Sequence, residues 1–168
     1  MLTIVGDDFA PGNLIFSQAT YTVNEAAGSA TITVVRTNGS TGIISVNFAT
    51  VAGGNATANV DYTPVSGTLA FADAQTSRTF TVPILVNSSV NADTTVNLAL
   101  STPTGGAALG SQSTAVLTIQ NNDVVFGNFN FTVTNFVVAE NVGSGFKTIT
   151  VARNGGSMSA VSVEYRVS

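Results

Sequence analysis

The sequence predicts an all-β chain made of immunoglobulin-like antiparallel two-sheet β-sandwiches, about seven strands per repeat, in tandem repeats of about 115 residues. Three observations predict it. Apolar and polar residues alternate at a period of two nearly throughout, clusters of turn residues separate the alternating runs, and one stretch of the chain recurs further along it.

The strands follow in order. Thr20 to Val23 reads T-Y-T-V and Ala30 to Val34 reads A-T-I-T-V, runs rich in the β-branched residues that suit a half-buried pleated surface. Arg78 to Val86 puts Phe80, Val82, Ile84 and Val86 on one face against Thr79, Thr81, Pro83 and Leu85 on the other. Pro83 has no N–H to give a ladder, so its strand belongs at a sheet edge or carries a bulge. Val96, Leu98 and Leu100 alternate with Asn97 and Ala99, and Leu117 and Ile119 flank Thr118. Turns are expected at Asn38-Gly39-Ser40, Gly53-Gly54-Asn55, Pro103 to Gly106 and Gly110-Ser111. No segment carries a convincing 3.6-residue stripe.

Composition narrows the chemistry. Five Lys or Arg and nine Asp or Glu make only 8% of residues charged, against about 25% in an ordinary soluble domain. A net charge of −4 with five scattered cations offers no basic patch for nucleic acid. With no His and no Cys there is no zinc site, thiol nucleophile, histidine triad or disulfide. The remaining isolated carboxylates lack a partner base or a cleft, so no enzyme is expected. Mean hydropathy is positive, at +0.36. Even so, no window holds 18 consecutive apolar residues, so no membrane insertion by a helix is expected. Met1 to Ala10 lacks the basic start and apolar run of an export signal, which is therefore expected outside this stretch.

The repeat sets the organisation. Leu2-Thr3-Ile4 recurs as Leu117-Thr118-Ile119 and Asp8 as Asp123, a shift of 115. Phe16, Tyr21, Val23 and Glu25 match Phe131, Phe136, Val138 and Glu140 at the same shift. Ile32, Arg36, Val46 and Phe48 match Ile149, Arg153, Val163 and Tyr165 at a shift of 117. The expected partition is the last strand of a preceding repeat in 1–8, a complete repeat in 9–123, a linker in 124–128 and the first strands of a following repeat in 129–168. Phe131, Phe136, Ile149, Val151 and Tyr165 would then be left half-exposed, either because the chain continues or because another chain supplies the missing strands. Arg36 and Arg153 end equivalent strands and are expected to cap or pair locally. The phenylalanines fall at strand spacing and read as core. Four N-glycosylation sequons, at Asn38, Asn55, Asn87 and Asn130, are near chance in so Asn- and Thr-rich a chain.

Several strings resemble a Calx-beta repeat. They are Phe16…Tyr21-Thr22-Val23-Asn24-Glu25…Gly28 to Val34…Arg36, Val46 to Thr50, Asp61-Tyr62, Gly67 to Phe71, Pro103…Gly110 and Leu117-Thr118-Ile119…Asp123. The resemblance implies a seven-stranded immunoglobulin-like sandwich, found in tandem in large extracellular adhesins and in calcium-sensing loops of sodium–calcium exchangers. It also implies calcium at one end of the sandwich, where Glu25, Asp61 and Asp123 occupy positions of family acids. Calcium takes six to eight oxygen ligands, and here other family acids are replaced. An acidic pair has become Val86-Asn87, two later acids have become Asn91 and Thr94 with Asp93 nearby, and the terminal acid run reads Asn121-Asn122-Asp123.

The function expected is thus a structural or adhesive repeat of a secreted or cell-surface protein, weakly calcium-rigidified or with a degenerate site. Its partners would be neighbouring repeats or identical chains, and an unidentified adhesion target. Two alternatives stand beside it: a fibre subunit assembled by strand complementation, and a calcium-sensing regulatory module.

Overall fold

The structure, a computed structural model, describes residues 9–137, 140, 143, 147–156 and 160–166. The strand expected in 1–8, with Asp7 and Asp8, lies outside them, as do Val138 and Phe146. The chain forms two compact units, 1–122 and 123–168.

The first unit holds β1 (Asn13–Phe16), β2 (Thr20–Asn24), β3 (Ser29–Thr37), β4 (Ile44–Val51), β5 (Ser66–Phe71), β6 (Ser77–Pro83), β7 (Thr94–Thr104), β8 (Ala108–Leu109) and β9 (Thr114–Gln120). They make two sheets, ordered β6-β3-β1-β8 and β2-β9-β7-β4-β5. Nine strands appear where about seven are expected because the first and last strands each change sheet. The chain leaves β1 after Phe16 and re-enters the facing sheet as β2, and it repeats the move between β8 and β9 across Gly110. A side chain at Gly110 would meet Ile15 Cγ2 at 2.3 Å. Pro83 is the last residue of β6, an edge strand, so its missing N–H costs the ladder little.

The alternation seen in sequence is the alternation of burial. Ala30, Ile32 and Val34 of β3 face inward, as do Phe80, Val82 and Ile84 of the β6 run, and Val96, Leu98 and Leu100 of β7. Phe16, Phe71, Leu14, Ile44 and Leu117 complete the enclosed centre, each such side chain contributing about 1.5–3 kcal/mol. Tyr21 in one sheet donates its hydroxyl to Thr33 O in the other at 2.9 Å, so its polar end is satisfied while its ring packs edge-on against Phe16. Two expectations fail here. Val86 is 63% exposed, because the ladder stops at Pro83 and the chain has already entered a loop. The phenylalanines are not all core: Phe16, Phe71 and Phe80 are buried and Phe48 stacks on Phe80, but Phe9 and Phe126 are exposed.

Arg36 continues the inward period of β3 one step beyond Val34, which explains why a charged side chain is only 4% exposed. It is held entirely by main-chain oxygens. Nε donates to Pro11 O at 2.7 Å, Nη2 to Thr41 O at 2.6 Å, and Nη1 to Gly42 O at 3.0 Å and Ala72 O at 3.4 Å. Asp73 Oδ1 accepts from Gly42 N at 2.6 Å and steadies the same loop. The guanidinium therefore clamps three segments: the entry to β1, the β3–β4 turn and the β5–β6 turn. Close backbone contacts make room for it. A Cβ at Gly39 would lie 2.2 Å from Ala10 O.

The second unit repeats this corner. In it β10 (Asn128–Phe131) pairs antiparallel with β11 (Val151–Asn154), Asn128 opposite Asn154 and Phe131 opposite Val151. In the first unit Asn13 stands opposite Thr37 and Phe16 opposite Val34. The two registers coincide at the sequence shifts of 115 and 117. Arg153 Nε donates to Phe126 O at 2.6 Å as Arg36 Nε does to Pro11 O. A Cβ at Gly156 would sit 2.2 Å from Val125 O, as one at Gly39 would from Ala10 O. Asn128 thus opens β10, and Phe126 and Val125 just before it contact Arg153 and Gly156. Phe131, Ile149, Val151 and Tyr165 are exposed by 62, 51, 40 and 85%.

Candidate functional site

At the end of the first unit away from Arg36, the finish of β2, the β4–β5 connection, the β6–β7 loop and the finish of β9 converge. Glu25 follows β2 and opens a single 3-10 turn, Glu25–Ala27. Asn24 caps that turn, its Oδ1 accepting from Ala26 N at 2.9 Å, and Gly28 closes it at φ +75°. The turn tucks Glu25 inward, so that the carboxylate is only 3% exposed. Asp61 closes a tight turn of its own, with Oδ2 accepting from Thr57 N at 2.7 Å. Glu25 and Asp61 line one small recess together with Asn87, Asn91, Thr94 and Asn121.

Donors, rather than further acceptors, meet Glu25. Asn87 gives its main-chain N–H (2.9 Å) and its side-chain Nδ2 to the same Oε1. The orientation of that amide follows from its other end, where Oδ1 accepts from Ser89 N at 2.7 Å and so must be the oxygen. Asn121 acts in the same way. Its Nδ2 donates to Ser89 O at 2.8 Å and to Asn91 Oδ1, and its main-chain N–H donates to Asp93 Oδ1 at 3.1 Å. The loop from 86 to 93 is thereby tied to β2 at one point and to the end of β9 at three. Glu25 Oε2 and Asp61 Oδ1 make no hydrogen bond among the described residues, and they are the oxygens a water or a cation would find.

Of the three acids expected to hold calcium, the structure brings Glu25 and Asp61 to one recess, while Asp123 opens the second unit. Among the described residues no group of three or more acidic side chains is placed to hold a metal. Calcium takes six to eight oxygens, several of them carboxylate. In this recess one of the two carboxylates already accepts two N–H groups. Sequence reasoning marked Asn87, Asn91 and Asn121 as replaced acids whose oxygens could still supplement the carboxylates. Their positive contribution, N–H groups delivered to oxygens, was missed. The signal available was that the replacements are amides, which can donate.

The sequence model of the Calx-beta domain matches residues 7–123 and again 122–168. The chain belongs to the Calx-beta family. It is 31% identical over 144 residues to the adhesion G-protein coupled receptor V1 of Danio rerio, covering 81% of this chain and 2% of that receptor. Among solved structures, it resembles the apo form of the Calx CBD1 domain, at 25% identity and a TM-score of 0.63, over 66% of this chain and 97% of that one. It also resembles the calcium binding domain CBD12 of CALX1.1, at 27% identity and a TM-score of 0.64, over 78% of this chain and 54% of that one. The Calx-beta fold is accordingly the all-β, immunoglobulin-like sandwich expected. No helix among the described residues is long and apolar enough to cross a membrane.

Proposed function

We propose that this Calx-beta chain is a non-catalytic structural repeat of an extracellular, cell-surface protein, closed at its Glu25 end by amide hydrogen bonds rather than by calcium. The observation that carries the structural reading is the repeated corner: the same strand register, arginine contact and glycine approach in both units. A sequence that preserves those contacts twice is built to be joined in series. The receptor relative supports placement at the cell surface, and contact with an adhesion target belongs to the same proposal. A sensing role draws its support from the calcium binding domains the fold resembles. The exchange of acids for Asn87, Asn91 and Asn121 weighs against it.

Thermal unfolding in EDTA and in several millimolar CaCl₂ tests the calcium half. A site filled to 100 times its Kd adds about 2.7 kcal/mol, a rise of roughly 10 °C for a unit of this size. The parent chain is expected to shift by less than about 1 °C. Asn87→Asp removes one donor and sets a carboxylate against Glu25, so it should lower the midpoint in EDTA and recover part of the loss in calcium. A parent chain that gains several degrees in calcium, and loses the gain on Asp61→Ala, would contradict the proposal.

A further inference from the structure

We infer that the first unit is a mechanical clamp, resistant to tension applied between its two ends. This rests on the structural-repeat reading and deepens it. In both sheets the strand that begins the unit pairs in parallel with the strand that ends it. β2 runs beside β9 over five positions, from Thr20 opposite Val116 to Asn24 opposite Gln120. β1 runs beside β8, Asn13 opposite Ala108 and Leu14 opposite Leu109. The chain enters at the Arg36 end and leaves, after Gln120, at the Glu25 end.

That topology fixes the direction of loading. Tension draws the entering segment back past the Arg36 end and the departing segment out past the Glu25 end. Parallel neighbours pulled in this way slide along their common axis. The slanted, evenly spaced bonds of a parallel ladder are then loaded together, not one rung after another. Two further features lie on the same path. Arg36 Nε holds Pro11 O just before β1. Val116 N donates to Ala19 O at 2.9 Å, extending the β2–β9 ladder one step toward the entry. β2 is an edge strand whose one ladder partner is the departing strand, so β2 leaves its sheet only by breaking that interface, while β1 ahead of it is held by β3 and β8.

The chain has no cysteine, so paired cysteine handles on the full chain define the pulling points. Ala10→Cys with Asn122→Cys loads the parallel ladders in shear. Ser40→Cys with Thr76→Cys pulls two turns apart at one end and opens the antiparallel β3–β6 ladder from its Val35–Ser77 rung. At equal loading rate, the first geometry is expected to need at least about twice the unfolding force of the second, because five positions share the load. Val23→Pro, which removes an N–H from β2, should abolish most of that difference. Leu69→Ala in β5, at the far edge of the same sheet, should lower chemical stability and keep the difference. Equal forces in the two geometries, or a difference lost equally in both variants, would overturn the clamp. A repeat that needed calcium would instead lose force in EDTA along both directions, which marks failure of the underlying reading and not of the clamp.

Discussion

Removing the Arg36 fork should cost the first unit a substantial part of its stability. Arg36→Met keeps the length of the side chain and deletes every donor. Three of the four contacts are 3.0 Å or shorter, and hydrogen bonds to a charged group contribute about 1.5–3 kcal/mol each. Full additivity would give 4.5 kcal/mol or more by that scale, about the lower end of three such bonds. Thr41 and Ala72 are exposed, so their oxygens regain water in the variant, and the buried charge that must otherwise be satisfied is gone as well. The expected loss is about 3 kcal/mol, against a total of roughly 6–17 kcal/mol for a unit of about 115 residues. In thermal unfolding this corresponds to roughly 10–15 °C. Arg36→Lys, with one point donor where the parent has a planar fork, should lose about 2 kcal/mol. Urea titration followed by tryptophan-free ultraviolet circular dichroism reads both, and the slope of the transition should stay constant. A loss below about 0.5 kcal/mol for Arg36→Met, the range of ordinary surface changes, would refute the clamp as a source of stability.

Other outcomes follow from the same contacts. Gly39→Ala sets a Cβ 2.2 Å from Ala10 O at φ +142°, and should cost about 1–3 kcal/mol in the same titration. A neutral result would mean that the entry segment can move aside. Phe71→Ala empties a fully enclosed position of the core and should cost about 3–5 kcal/mol, with a lowered midpoint and an unchanged slope. Glu25→Gln keeps an oxygen for both Asn87 donors, so it should change the midpoint by less than about 4 °C, the equivalent of one kcal/mol or less. A large loss would show that the charge, and not the hydrogen-bond pattern, closes this end.

Much of this molecule was legible in its sequence because its strands obey one simple rule. Period-two alternation alone places Ile32, Val34, Phe80, Val82 and Leu98 inside, and Pro83 marks an edge. The same rule applied one step further would have buried Arg36. It did not do so in sequence because a charged residue reads as surface until carbonyl oxygens are known to surround it. The split of the first and last strands was hidden for a different reason. Leaving one sheet for the other requires no unusual residue at Ser17 to Ala19, only a short gap in the ladder. Val86 misled because alternation continues in a chain after the strand has ended. At the Glu25 end, the positions of the site were visible and its chemistry was not. Asn for Asp looks like a lost ligand in a string of letters, whereas in space the amide nitrogen of Asn87 is a gained donor.

On the proposed reading, this Calx-beta chain is a unit joined in series to span distance. β7, the longest strand, has 11 residues, or about 36 Å at ~3.3 Å per residue. Small-angle scattering of chains carrying two, three and four consecutive repeats tests the claim most directly. The account predicts that the maximum dimension grows by a constant increment of roughly 35–40 Å per repeat, with the same increment in EDTA and in calcium. A dimension that levels off as repeats are added, or an increment that appears only with calcium, would contradict it.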